Sequence, residues 1–203
     1  KVLLFGEEGL VAGDVSTSSP PVVADGVVGT GSTVIDFVRA TTPRGTVQAF
    51  DSFSGRPLWQ FDPLLGHPDS GSANVWAPIS VDEKNGLVFL PTSSASPDYY
   101  GVDRPGANPY ANSVVALALH SGEYRWHFQH VRHDLWDYDT PAQPILFDWR
   151  KDGETIPALA QLTKQGFVFV FNRLTGEPLW EITEQPVPPS SIAGERAAPT
   201  QPK

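Results

Sequence analysis

Ten consecutive residues, His130-Val131-Arg132-His133-Asp134-Leu135-Trp136-Asp137-Tyr138-Asp139, hold three carboxylates, two imidazoles, an indole and a phenol. Thr140-Pro141-Ala142-Gln143-Pro144 follows directly. Carboxylate and imidazole groups are the usual carriers of protons in catalysis, and carboxylates also suit hard cations. The same residue types have structural uses: Asp caps turns, His satisfies backbone groups, and Trp packs between sheets. On the residues alone both readings stand, although the density exceeds what turn chemistry needs. Lys164, in Lys164-Gln165-Gly166, reads by itself as a solvated turn lysine.

The elements that must position these groups are strands. One phrase occurs three times, as Ala49-Phe50-Asp51-Ser52-Phe53-Ser54-Gly55-Arg56-Pro57-Leu58-Trp59, as Ala116 to Trp126, and as Val170 to Trp180. Each copy runs from an alternating apolar strand into a polar turn, with a Gly four residues before a Trp. Gly tolerates the positive φ of a tight turn, and a Trp at fixed offset can anchor one sheet on the next. The Gly-to-Gly spacings of 67 and 54 residues suit a sheet plus inserted loops.

Around the phrases, three four-stranded units are predicted. The first takes 21–24, 27–33, 45–51 and 57–61; the second 77–81, 87–91, 113–119 and 124–128; the third 142–147, 158–162, 167–172 and 178–182. Asp25-Gly26, Lys84-Asn85-Gly86, Lys151-Asp152-Gly153 and Lys164-Gln165-Gly166 mark turns between them. No segment shows sustained helical periodicity. The expected fold is all-β, a partial β-propeller over 1–203, with blades at approximately 21–62, 77–129 and 142–183. Residues 1–15 and 184–203 are expected to be connecting segments, and a stacked β-sandwich is the alternative. The cluster then lies between the second and third blades, in the kind of loop that presents functional groups.

Composition narrows the partners. The 203 residues carry a net charge of -9 and only 14 scattered basic residues, which excludes nucleic acid as a partner. The 18 Gly and 20 Pro suit a turn-rich β protein, and no apolar run exceeds strand length. With no Cys, disulfides and thiolate metal sites are excluded. The chain opens at Lys1 with neither Met nor an apolar leader run, as expected of a cut-out segment or mature fragment.

The run His133 to Pro144 closely resembles the signature of pyrroloquinoline-quinone (PQQ) dehydrogenases, in particular the glucose-dehydrogenase-like branch. The resemblance continues through Ala160 to Gly166, Phe171-Asn172-Arg173, Thr175 to Leu179, Gln185 to Pro188, Gly194-Glu195 and Pro199 to Pro202. Upstream, Ser19 to Val22, Asn74 to Pro78, Leu90-Pro91 and Pro97 to Gly101 also fit, and the Gly…Trp phrase resembles that family's tryptophan-docking motif. The resemblance implies an eight-bladed propeller with PQQ and a divalent metal, Ca²⁺ or Mg²⁺, near its axis. It implies Asp137 as the base that removes a hydroxyl proton while hydride passes to the quinone. It implies Lys164 as the cation beside the quinone oxygens, and Asn74, Lys164 and Trp136 as cofactor-binding residues. Metal ligands so implied are Asn74, Asp137 and Asp36, the last from a loop that aligns poorly.

The same resemblance implies a small alcohol or sugar as substrate and a quinone or other electron acceptor as partner. It implies a periplasmic parent and leaves open attachment to the inner membrane through other parts of that parent. Arg132 stands where the family commonly has His. The adjacent-Cys disulfide, a c-type haem motif and an axial Trp between His67 and Ser72 are absent, which favours the branch that includes sugar, polyol and quinate oxidisers. The competing expectation is a non-catalytic propeller scaffold of the bacterial envelope, which would need the Gly…Trp phrase but neither the cluster nor Lys164. With three of eight blades, the chain alone is expected to be inactive.

Overall fold

The computed structural model describes residues 13–35, 42–65 and 70–203. Three antiparallel sheets follow one another along the chain. The first contains β1 (Val22–Ala24), β2 (Val27–Thr30), β3 (Val47–Asp51) and β4 (Pro57–Phe61), each paired with the next. The second contains β5 (Ser80–Asp82), β6 (Leu87–Pro91), β7 (Ser113–Ala118) and β8 (Tyr124–Gln129) in the same meander. The third contains β9 (Ile145–Lys151), β10 (Glu154–Leu162) and β11 (Val168–Asn172). Among the described residues there is no α-helix, and one 3-10 turn, Glu83–Asn85, ends on left-handed Gly86.

The middle sheet explains the architecture. Its two inner strands, β6 and β7, are buried at every position, because alternate side chains go to opposite faces and both faces are covered. Val88, Leu90, Val115 and Leu117 pack with Val27, Val47 and Ala49 of the first sheet. Leu87, Phe89, Val114 and Ala116 pack with Leu159, Phe169 and Phe171 of the third. A two-sheet sandwich has a single such interface. Three sheets in series, the middle one buried on both faces, is the stacking of propeller blades.

The repeated phrase has one geometry in all three copies. Gly55, Gly122 and Gly176 take φ of 70°, 68° and 77°. Their N–H groups donate to Asp51, Ala118 and Asn172 at 2.8, 2.9 and 2.8 Å. In the first two sheets, a register shift falls at Ala49/Phe50 and again at Ala116/Leu117, so the turn is reached through a bulge at the same place. The Trp of each of the first two copies then crosses to the next copy. Trp59 Nε1 donates to Leu119 O at 2.8 Å and Trp126 Nε1 to Arg173 O at 3.0 Å, both acceptors standing three residues before the next Gly.

Three expectations need correcting. The fourth strand over 178–182 is reduced to a single bridge between Phe171 and Pro178. The sequence has no fourth Gly phrase for Trp180, which is 52% exposed and lies against Trp149 at 4.6 Å. The hairpin of the third sheet is longer than expected. It starts at Ile145 rather than Ala142, and β9 and β10 pair right up to Asp152-Gly153, whose φ values of 52° and 84° suit a two-residue turn. The segment 184–203, expected as a connection, folds back as a ribbon pairing Glu184–Pro186 with Thr200–Pro202. Arg132 holds it in place, through Glu184 at 2.6 and 2.7 Å and through paired bonds with the Gln201 amide.

Candidate active site between the second and third sheets

The loop from Gln129 to Ile145 is built on Asp134. Its Oδ1 accepts Trp136 N at 2.9 Å, and its Oδ2 accepts Tyr138 N at 2.6 Å, Asn112 Nδ2 at 2.8 Å and Ser94 Oγ at 2.5 Å. A short polar side chain bonding its own backbone two and four residues on lets the chain turn sharply. Left-handed φ at His133 (46°) and Asp137 (57°) completes the turn. Arg104, 1% exposed, reaches the same loop from β6–β7: it donates to Pro97 O, Asp98 O, Asn108 Oδ1 and Asp134 O. Burial pushes its pKa down, against the charges of Asp134 and Asp98. A buried guanidinium thus joins the loop carrying Tyr99 to the loop carrying Asp137.

Asp137 and Lys164 meet. Lys164 Nζ donates to Asp137 O at 2.6 Å and to Asp137 Oδ2 at 3.2 Å, across 27 residues. Burial disfavours the Lys164 ammonium, but the bond to Asp137 and the charges of Asp139 and Asp137 outweigh it and raise its pKa. Tyr99 Oη donates to the same Oδ2 at 3.3 Å. Among the described residues no hydrogen bond reaches Asp137 Oδ1. The carboxylate therefore has one oxygen held and one able to accept a proton or bind a cation.

Asp139, two residues on, faces inward. Its Oδ1 accepts Ser94 N at 2.7 Å and its Oδ2 accepts the Trp76 indole N–H at 2.9 Å. Burial raises its pKa, opposed by the bond from Ser94. Asn74, two residues before Trp76, is 2% exposed; its Nδ2 donates to Ser32 O and its Oδ1 accepts from Ser93 Oγ, both at 2.9 Å. No hydrogen bond among the described residues joins Asn74 directly to Asp137 or Lys164. The link runs through the neighbouring pairs Ser93-Ser94 and Trp76-Asp139. The Asn74 amide oxygen keeps a second lone pair beyond the one engaged by Ser93.

Trp136 is 37% exposed and stacks on Tyr138 at 5.9 Å. Both line a cavity of about 260 Å³ with Gln165, Phe167, Val187 and Gln201, so the folded-back ribbon forms one of its walls. Asp36 lies outside the described residues. Among those described, no group of three or more His, Cys, Asp or Glu could hold a metal. The donors on hand are oxygens, the open Oδ1 of Asp137 and the amide of Asn74, which is the chemistry Ca²⁺ takes. A fixed ammonium beside an open carboxylate oxygen likewise suits a quinone that gains negative charge on reduction.

Both histidines of the cluster serve the fold. His130 is 1% exposed between the Phe128 and Phe169 rings, its pKa pushed down to about 3 by burial. His133 bonds Gly106 O through Nδ1 at 2.7 Å. Arg132 is engaged by Glu184 rather than by the pair. Of the other residues built into the site, Asp139 lies in the cluster itself, Tyr99 and Trp76 lie in the stretches Pro97 to Gly101 and Asn74 to Pro78, and Arg104 lies in none of these motifs.

Comparison with known proteins identifies the family of the chain. A family model described as "PQQ: Glucose/ethanol/alcohol dehydrogenase, beta-propeller domain" matches residues 5–203. The chain is 38% identical to the glycerol dehydrogenase large subunit of Gluconobacter thailandicus, covering 95% of this chain and 28% of that one. It is 38% identical to the quinate/shikimate dehydrogenase (quinone) of Acinetobacter baylyi, covering 92% and 24%. With the quinoprotein glucose dehydrogenase of Escherichia coli the identity is 36%, covering 91% and 25%. The chain thus spans about a quarter of the length of these relatives. Among solved structures, the quinohemoprotein alcohol dehydrogenase ADHIIG of Pseudomonas putida HK5 aligns at TM-score 0.72 and 26% identity, over 82% of this chain and 27% of that one. The chain belongs to the family of PQQ-dependent glucose, ethanol and alcohol dehydrogenases, within its β-propeller domain.

Proposed function

We propose that this chain carries part of the oxidation site of a quinoprotein dehydrogenase acting on a sugar, polyol or other small alcohol. The observation that carries the reading is the contact of Lys164 with Asp137 Oδ2 at 3.2 Å, with no hydrogen bond to Oδ1 among the described residues. In this reading Asp137 Oδ1 takes the proton of the substrate hydroxyl. Bound PQQ supplies the acceptor for the hydride leaving the adjacent carbon. Lys164 binds the quinone oxygens, balances the charge that reduction brings, and keeps the Asp137 carboxylate turned toward its substrate. A bound divalent cation, Ca²⁺ or Mg²⁺, would supply Lewis acidity to the oxidation. Asp137, Asn74 and Asp36 are its proposed oxygen donors. Trp136 is the proposed aromatic contact to the cofactor.

We take residues 21–62, 77–129 and 142–183 as three blades of eight, in a periplasmic protein that passes electrons to a quinone. The similarity to the quinate/shikimate dehydrogenase (quinone) of Acinetobacter baylyi supports that acceptor. The other blades would supply the rest of the axial wall, so the chain alone binds PQQ weakly and does not turn over. Submicromolar PQQ affinity of the chain alone would contradict that.

The decisive experiment reconstitutes the complete protein with PQQ and Ca²⁺ and follows dye reduction with aldoses, polyols and quinate. Asp137→Asn should lower kcat/KM by about 10²-fold or more, the usual contribution of a general base. Wild-type activity in Asp137→Asn would remove that residue from the mechanism.

A further inference from the structure

Resting on that reading, we propose that Tyr99 is a positioning residue for Asp137. Its phenol hydroxyl, together with the Lys164 ammonium, holds carboxylate oxygen Oδ2 and so leaves Oδ1 as the proton-accepting atom.

Asp137 sits at a left-handed backbone position with its side chain 22% exposed, and a carboxylate χ2 rotates within a broad well. One donor does not fix such a group. Lys164 reaches Asp137 through a flexible four-carbon stem, and its shorter bond goes to the backbone carbonyl, 2.6 Å against 3.2 Å for Oδ2. The second donor to Oδ2 is Tyr99 Oη at 3.3 Å. A phenol has two side-chain torsions, so a tyrosine fixed at its backbone constrains its partner at little entropic cost.

The backbone on either side of Tyr99 is tied down. Arg104 donates to Pro97 O at 2.9 Å and to Asp98 O at 3.3 Å from a buried position. Beyond Tyr99, Gly101 N donates to Glu195 Oε1 at 3.1 Å, and the other oxygen of Glu195 accepts from Ser190 Oγ. Gly101 cannot carry a side chain here, because a Cβ would stand 2.3 Å from His133 Nε2. Arg104 also donates to Asp134 O, in the loop that presents Asp137. The two ends of the Tyr99–Asp137 bond therefore share one buried anchor, and their separation is set by the fold. Tyr99 itself is 58% exposed and meets the carboxylate at Oδ2.

The test is Tyr99→Phe in the complete protein loaded with PQQ and Ca²⁺, with Asp137→Asn in parallel and a high-resolution structure of the Tyr99→Phe protein. The expected result is a fall in kcat of about tenfold with KM unchanged within about twofold, the scale of one hydrogen bond to a charged group. In the structure, the Asp137 carboxylate should leave its wild-type rotamer or divide between two. A wild-type kcat overturns the inference, as does an unmoved carboxylate. A raised KM with unchanged kcat also overturns it, since Tyr99 would then contact substrate instead. If Asp137→Asn retains full activity, the catalytic reading itself fails, and that result is separate from any effect at Tyr99.

Discussion

The Trp126 indole lies flat against Gly176 of the next phrase: a Cβ built on Gly176 would stand 2.6 Å from the Trp126 ring. Trp59 and Gly122 repeat the relationship one sheet earlier, at 2.7 Å. The Gly is thus selected twice, by its positive φ and by the ring that covers it.

Gly55 separates those two demands. It has φ +70° like the others, but a Cβ there meets nothing within 4 Å. Gly55→Ala should cost about 1 kcal/mol for the left-handed conformation. Gly176→Ala and Gly122→Ala should cost a further 1–3 kcal/mol or so from overpacking against the indole. Urea unfolding of the 203-residue chain carrying each variant measures the difference, and equal losses at all three positions in that chain would contradict sheet docking through Gly122 and Gly176.

Lys164→Gln should divide activity from stability. The pair is partly exposed, 37% and 22% by side chain, and such ion pairs add at most about 1 kcal/mol to folding. The cation's proposed work is on charge that develops during turnover, where losing one such group costs about 10²-fold or more. Expected, then, are an unfolding midpoint close to wild type and a kcat/KM lowered by about two orders of magnitude. A large loss of stability with little loss of rate would make Lys164 a structural residue.

Stability should fall with acidity through His130. Its folded pKa of about 3 lies below the ordinary histidine value of 6.5 because burial between two phenylalanine rings disfavours the charged ring. Above pH 6.5 the ring is neutral in both states and the pH dependence from this group vanishes. Below 6.5 the unfolded chain takes a proton that the folded one refuses, so stability drops by up to about 1.4 kcal/mol per pH unit until about pH 3. Chemical denaturation between pH 7 and 4 should show a shallower slope for His130→Phe than for wild type. Parallel slopes would show that this ring does not titrate differently on folding.

Much of this was legible in the sequence because it is periodic or local. The Gly…Trp phrase, the apolar runs of β6 and β7 and the Asp25-Gly26 and Asp152-Gly153 turns all follow from side-chain alternation and backbone sterics. Asp137 and Lys164, 27 residues apart, are in contact. Pro178 to Ile182 repeats Pro57 to Phe61 and so has the pattern of a strand, but its pairing is confined to the bridge between Pro178 and Phe171. The ribbon around Gln185 was hidden by prolines, which pattern alone assigns to connections. Tyr99, Arg104 and the Trp76–Asp139 bond depend on contacts between loops 30 to 63 residues apart. Those loops have no periodicity, and left-handed turns at His133, Asp137 and Asn112 set their course. His130 and His133 show the converse: the density that marked a site also serves the loop that builds it.

That loop gives the last prediction. Asp134 accepts two backbone N–H groups, Trp136 and Tyr138, together with Ser94 and Asn112. Asp134→Asn keeps the shape but turns one acceptor oxygen into a donor, facing groups that are themselves donors. A buried donor left without its acceptor costs about 1–3 kcal/mol. The cost should fall first on the turn, since Asp134 closes it around Asp137. Amide hydrogen exchange should therefore quicken at Tyr138 more than at Val115 in the middle sheet, and activity of the complete protein should fall with it. Uniform acceleration at both amides would mean that Asp134 supports the whole fold and not the presentation of Asp137.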